Sequence, residues 1–153
     1  MNFETTKDVL DHAREFHGQV SEYYRQLSEK VQKERVKMLL EYMSRHEKHL
    51  EENLSNYEED VSGRILNAWF QYPPPKDILK TVVSLTLEGK ENLTVDEVIE
   101  LALRIDGCVI QLYQKMAADS KFVEVKEVFT NLLEMEKHRE MDLVRDALHL
   151  KEI

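Results

Sequence analysis

Residues 93–113 read LTVDEVIELALRIDGCVIQLY, and this stretch decides the fold. Thr94 is a good helix N-cap, and Glu97 three positions on completes a capping box. The helix it opens runs to about Asp119. Slid back by 89 residues, the stretch lies on the start of the chain without a gap. Thr94 falls on Thr5, Val98 on Val9, Ala102 on Ala13, Gly107 on Gly18, Val109 on Val20 and Tyr113 on Tyr24. The match continues into the next segments. Val125 falls on Val36, Lys126 on Lys37, Glu136 on Glu47, Lys137 on Lys48, His138 on His49, Glu140 on Glu51 and Leu143 on Leu54. Apolar positions also agree by class, as in Leu27 with Met116, Leu39 with Val128, Leu40 with Phe129 and Met43 with Leu132.

Each half of this repeat carries two helices. Val9, Leu10, Ala13, Phe16, Val20, Tyr23, Tyr24, Leu27 and Val31 recur at gaps of three and four, which predicts a first helix within 5–32, with Thr5 or Thr6 and Asp8 at its N-cap. A second helix is predicted from about Glu34 to Glu58, and a fourth from about Lys121 to Leu148. Between the halves, 59–75 breaks the pattern at Gly63 and at Tyr72–Pro75, "YPPP". Residues 76–89 then predict a short helix ended by Gly89. Tight turns make each pair antiparallel, and the long connection allows helices two and three to run parallel. The expected architecture is all-α: a single 1–153 four-helix-bundle domain of two duplicated helical hairpins, joined by a long crossover with a short helix.

Composition agrees. The 153 residues suit one core, and four Gly and three Pro favour long helices over a turn-rich sheet. A net charge of −9 argues against simple electrostatic binding to nucleic acid or an anionic membrane. No apolar run reaches the roughly 20 residues of a membrane span. The N-terminus MNFETTKDVLDHARE is polar, unlike a signal peptide. Cys108, the lone cysteine, allows no internal disulfide. The expected location is the cytoplasm.

The candidate chemistry lies in "YMSRHEKHLEENL", residues 42–54. His46 and His49, three apart, share a helix face, but they sit amid Arg45, Glu47 and Lys48, so a solvated face is the alternative. Asp106 interrupts an apolar run, and a buried carboxylate needs a partner. Gly18 and Gly107 stand mid-helix, where each costs about 1 kcal/mol against Ala; close packing or a bulge would explain the pair. Tyr24 and Tyr113 fall near the face of residues 17 and 106, so their hydroxyls point toward buried polar groups. Cys108 reads as a small core residue, and His12 and His149 as surface.

The layout resembles the ferritin-like superfamily, in particular its rubrerythrin-like branch. In that pattern each half supplies a Glu on its first helix, a Tyr seven residues later, and Glu-x-x-His on its second helix. Counting seven back from Tyr24 and Tyr113 gives His17 and Asp106. Placing the histidines on His49 and His138 puts the second-helix Glu positions at His46 and Met135, so both bridging carboxylates are read as lost, which puts dinuclear oxygen or peroxide chemistry in doubt. The resemblance then implies a remodelled His-rich centre, His17, His46, His49 and Asp106 with His138 as a fifth ligand or close neighbour, holding one Fe or Zn ion. Met135 packs, and Glu134, equivalent to Arg45, faces outward. The implied function is a metal-binding, rubrerythrin-like protein with an oxidoreductase or iron-handling role and a homodimeric assembly. The alternative is a degenerate ferritin-like scaffold or interaction protein without metal.

Overall fold

The computed structural model describes residues 3–71, 78–87, 90 and 92–152, without the side chains of 3, 70, 71, 151 and 152. Both capping boxes form. Thr5 accepts from the backbone of Asp8, whose carboxylate accepts in return, and this opens α1, Thr6–Lys30. Thr94 and Glu97 do the same for α5, Val95–Asp119. Each cap is worth about 1 kcal/mol, and the two lie at equivalent places of the repeat. The partner helices are α2, Glu34–Asp60, and α6, Val123–Glu152. The first three long helices end within two or three residues of the expected limits, and α6 runs four residues beyond Leu148.

The crossover holds α3, Gly63–Leu66, and α4, Ile78–Leu87. Gly63, expected to break helix, instead begins one short turn. The YPPP stretch and Gly89 lie outside the described residues. One feature departs from the all-helical expectation. Strand β1, Phe3–Thr5, pairs antiparallel with β2, Trp69–Gln71, in the register Phe3↔Gln71, Glu4↔Phe70, Thr5↔Trp69. A Thr6 N–H bond to the Ala68 carbonyl continues the ribbon. Three-residue strands are too short to show a period, so the sequence gives no sign of them.

The interior is split in two along the bundle. One apolar cluster joins Val9, Leu10 and Ala13 of α1 to Leu54 of α2, Val109 and Tyr113 of α5, and Val125, Phe129 and Leu132 of α6. The other joins Val20 and Tyr24 to Leu40 and Met43, Val98 and Ala102, and Leu143 and Ala147. The start of α2 therefore packs with the start of α5, and their ends pack together. The two helices run parallel, as the long crossover allows. Between the clusters lies a single layer of buried ionisable side chains. Among the described residues, no helix is long and apolar enough to cross a membrane.

Candidate metal centre

Each long helix sends one ionisable side chain into the layer between the two clusters. His17 comes from α1, Glu47 from α2, Asp106 from α5 and Glu136 from α6; they are 1%, 2%, 5% and 1% exposed. His17 is the hub. Its Nδ1–H donates to Glu47 Oε2 at 2.5 Å and its Nε2–H to Glu136 Oε1 at 2.7 Å. Both ring nitrogens can donate only in the imidazolium form. One turn along, Ser21 and Ser44 each donate a hydroxyl to the other's backbone carbonyl at 2.8 Å, which clasps α1 to α2 beside the His17–Glu47 contact.

The electrostatics fit that protonation. Burial opposes the charge on His17, but Glu136 and Glu47 outweigh it and hold the imidazole well above its ordinary range. Burial pushes Asp106 well above the carboxylate range; Glu47, Glu136 and Glu140 add to the rise, and His17 offsets part of it. The half-buried Glu140 is also raised, by burial and then by Glu136. The layer thus sets the His17 ring between Glu47 and Glu136, with Asp106 as a third carboxyl whose protonated form burial favours. The buried Tyr24 hydroxyl has no hydrogen-bond partner among the described residues. Burial, followed by Glu47 and Asp106, drives the Tyr24 phenol well above its usual value.

The five residues read as ligands part company. His17 and Asp106 lie in the layer. His46 is 9% exposed at its edge, with its ring stacked on Tyr42 at 6.1 Å. Tyr42 in turn donates to Asp146 at 2.7 Å. Burial lowers His46, with Arg139 and His17 acting the same way against Glu47 and Glu136. His49 and His138 are exposed, on the outer faces of α2 and α6. The buried carboxylates of the second helices are Glu47 and Glu136, each one residue on from the expected ligand positions 46 and 135. Helical stepping explains it. The buried series Met43, Glu47, Leu50, Leu54 needs a residue at 47, and 46 lies about 100° around the helix. The missed signal was the identity of Glu47 and Glu136 in the repeat, on the stripe that carries the apolar residues.

Met135 packs against the first cluster, as expected. Cys108 does not lie in the core. It is half-buried on the wall of a cavity of about 780 Å³ between α1, α4 and α5, with Phe16, Leu79, Val83 and Leu112. None of the four layer residues lines that cavity.

The donor set, two Glu, one Asp and one His, suits a single transition-metal ion. It fits a pair of ions poorly. The positions three residues after Glu47 and Glu136 hold Leu50 and Arg139, so the two histidines of the Glu-x-x-His pattern are missing. As arranged, no three described side chains converge on one point, because the His17 ring stands between the carboxylates with a nitrogen turned to each. A cation here requires that ring to give up a carboxylate.

The chain is similar in structure to a Thermotoga maritima protein described from its crystal structure as a candidate ferritin-like diiron-carboxylate protein. The identity is 17%, the TM-score 0.59, and 95% of each chain is covered. At that identity the likeness speaks for the fold. No curated protein matches the sequence. Residues 9–144 match the Rubrerythrin family, so the chain belongs to the rubrerythrin family.

Proposed function

We propose that the protein binds one transition-metal cation in the middle of its bundle, iron before zinc, through Glu47, Glu136, Asp106 and His17, with His46 beside them. One observation carries this: four ionisable side chains, one from each long helix, meet in a buried layer between two apolar clusters. Buried carboxylates are costly unless paired or metal-bound, and a structural relic would be expected to lose them to Leu or Ala. The family and the diiron-carboxylate description of its structural neighbour favour iron. Bound metal would supply Lewis-acid or one-electron chemistry. The chain itself would contribute the carboxylates that neutralise the ion, the dry walls around them, and the Tyr24 hydroxyl as a donor near Glu47 and Asp106. His49 and His138, on the outer faces, take no part.

A second possibility rests on the hydrogen bonds of His17. An imidazolium bonded on both sides does the neutralising work of a cation, and a bundle held that way needs no metal. Anaerobic Fe²⁺ titration of untagged protein, with elemental analysis and native mass, separates the two. Near one metal per chain, lost in a Glu47→Gln, Glu136→Gln variant that keeps its helical circular dichroism, supports the metal centre. Metal-free protein whose melting temperature ignores Fe²⁺ and Zn²⁺ supports the scaffold. The same native mass tests the expected homodimer.

A further inference from the structure

Besides its inward face, α1 carries a second apolar stripe. Phe16 and Tyr23 lie seven residues apart, two helical turns, and each is half-buried, whereas Ala13, Val20 and Tyr24 on the inward face are at most 3% exposed. Helix α4 packs along α5. Leu79 and Val83 of α4, one turn apart, and Leu112 of α5 face the same space as Phe16 and Tyr23, and all three are half-buried as well. These side chains do not fill the space between them. They bound the cavity of about 780 Å³, inside the range of about 300–1,000 Å³ that small-molecule sites occupy. Packed interiors hold few voids larger than a water molecule, so apolar walls around a space of this size leave contacts that an apolar guest would complete. The exposed lining residues, Glu15 and Gln19 on α1 and Lys80 and Ser84 on α4, mark the mouth.

We infer that this cavity binds an uncharged small molecule with a ring or short hydrocarbon body and a hydrogen-bonding group at one end. Charge argues for a neutral guest. Glu15 and Lys80 are of opposite sign and come from different walls, so an ion of either sign meets repulsion as well as attraction. His12, the remaining ionisable group on the α1 wall, lies 3.7 Å from Glu4. Deeper in, burial raises both the Tyr23 phenol and the Cys108 thiol and so favours their neutral forms. An ion there would also lose hydration against apolar walls. The polar groups at the mouth, Gln19 and Ser84, suit a hydroxyl or carbonyl on the guest. The inference is independent of metal binding, because none of the four layer residues lines the cavity.

Cys108, the single thiol of the chain, stands on the cavity wall, so its modification reports on the space beside it. The ligand for the test is N-phenyl-1-naphthylamine, a neutral dye that fluoresces in apolar surroundings. At about nine times its Kd, where about nine tenths of the chains are filled, reaction of Cys108 with Ellman's reagent should slow about tenfold by mass action. Val83→Trp puts bulk into the cavity and should weaken the dye by about tenfold or more; Leu112→Trp applies the same test from α5. Leu85→Trp adds the same bulk to α4 at a site that is 72% exposed and off the cavity wall, and it should bind dye as the parent does. Far-UV circular dichroism should match the parent in all three. The anionic analogue 1-anilinonaphthalene-8-sulfonate should bind about tenfold more weakly than the neutral dye. No dye binding by the parent, parent-like binding in both Val83→Trp and Leu112→Trp, or an unchanged thiol rate with dye bound overturns the cavity as a ligand site. Tighter binding of the sulfonate overturns the neutral class. A thiol rate that falls with protein concentration alone shows a second copy filling the space and overturns the small-molecule guest.

Discussion

Replacing His17 by Ala tests the layer most directly. In the folded chain the imidazolium separates Glu47 from Glu136 and bonds to both, with all three groups at most 2% exposed. Without it, two buried carboxylates face a void. Removing one partner of a buried ion pair costs about 3–5 kcal/mol. For a chain of this length, 1 kcal/mol moves the melting temperature by about 2–4 °C, so the expected drop is about 6–20 °C by circular dichroism at pH 6. The pH dependence has a definite sign. The folded state raises the His17 pKa above its ordinary value, so its stabilisation is complete below about pH 6.5. It fades as pH rises through the folded value, because there the native state loses a proton that had favoured folding. The gap between parent and variant should therefore narrow on the alkaline side. Substituting all three groups at once, His17→Leu with Glu47→Gln and Glu136→Gln, should recover much of the loss, since no buried charge is left unpaired. A His17→Ala protein that melts within about 2 °C of the parent at pH 6 would refute the idea that this ring holds the layer together.

Asp106→Asn should raise the melting temperature at pH 7–8 while weakening Co²⁺ binding. The folded chain keeps the Asp106 proton more tightly than the unfolded one, so stability falls as pH climbs from the ordinary carboxylate range to the folded value, and Asn removes that loss. An Asp106→Asn protein less stable than the parent at pH 7.5 would contradict the upward shift of Asp106. Gly107→Ala should stabilise by about 0.5–1 kcal/mol, since its Cβ meets nothing within 4 Å; a fall in the urea midpoint would show that the gap is not there. His49→Ala with His138→Ala should change stability by less than about 0.5 kcal/mol per site, as exposed substitutions do, and should leave Co²⁺ stoichiometry alone. Loss of the metal in that pair would return these two histidines to the ligand set.

Much of the fold was legible because it rests on local signals that the chain states twice. Thr5 with Asp8 and Thr94 with Glu97 fix two helix starts 89 residues apart, and the apolar stripes fix which face turns inward. The centre was half legible. His17 and Asp106 follow from counting back along one helix from a buried Tyr. The second helices misled because histidine is the more conspicuous ligand. Aligning on His49 and His138 moved the frame by one residue, and one residue on a helix turns a side chain by about 100°. The stripe through Met43, Leu50 and Leu54 contained the correction, since it passes through Glu47. What no stripe reports is that an imidazole from α1 fills the space between carboxylates from α2 and α6. That depends on how two hairpins dock, and it appears only when all four helices are in place.

The duplication explains why the centre is lopsided. Two copies of one hairpin would place identical residues at 17 and 106 and at 46 and 135; the chain instead holds His17 against Asp106 and His46 against Met135, while it keeps Glu47 equal to Glu136 and Glu51 equal to Glu140. The carboxylates are thus retained in pairs, and the residues around them differ between halves. His17 gives the layer a built-in positive charge, whereas Asp106 adds only a carboxyl that ionises at a cost. Glu51 is tethered by Lys48 over Gly18, and among the described residues no ion pair holds Glu140. On the proposed metal-binding reading, a cation in the layer would have to compete with His17 for Glu47 and Glu136. The chemical polarity runs from α5 and α6 toward α1 and α2. For that reason substitutions at Asp106 should alter how metal binds while leaving the bundle stable, and substitutions at His17 should alter whether the bundle is stable at all.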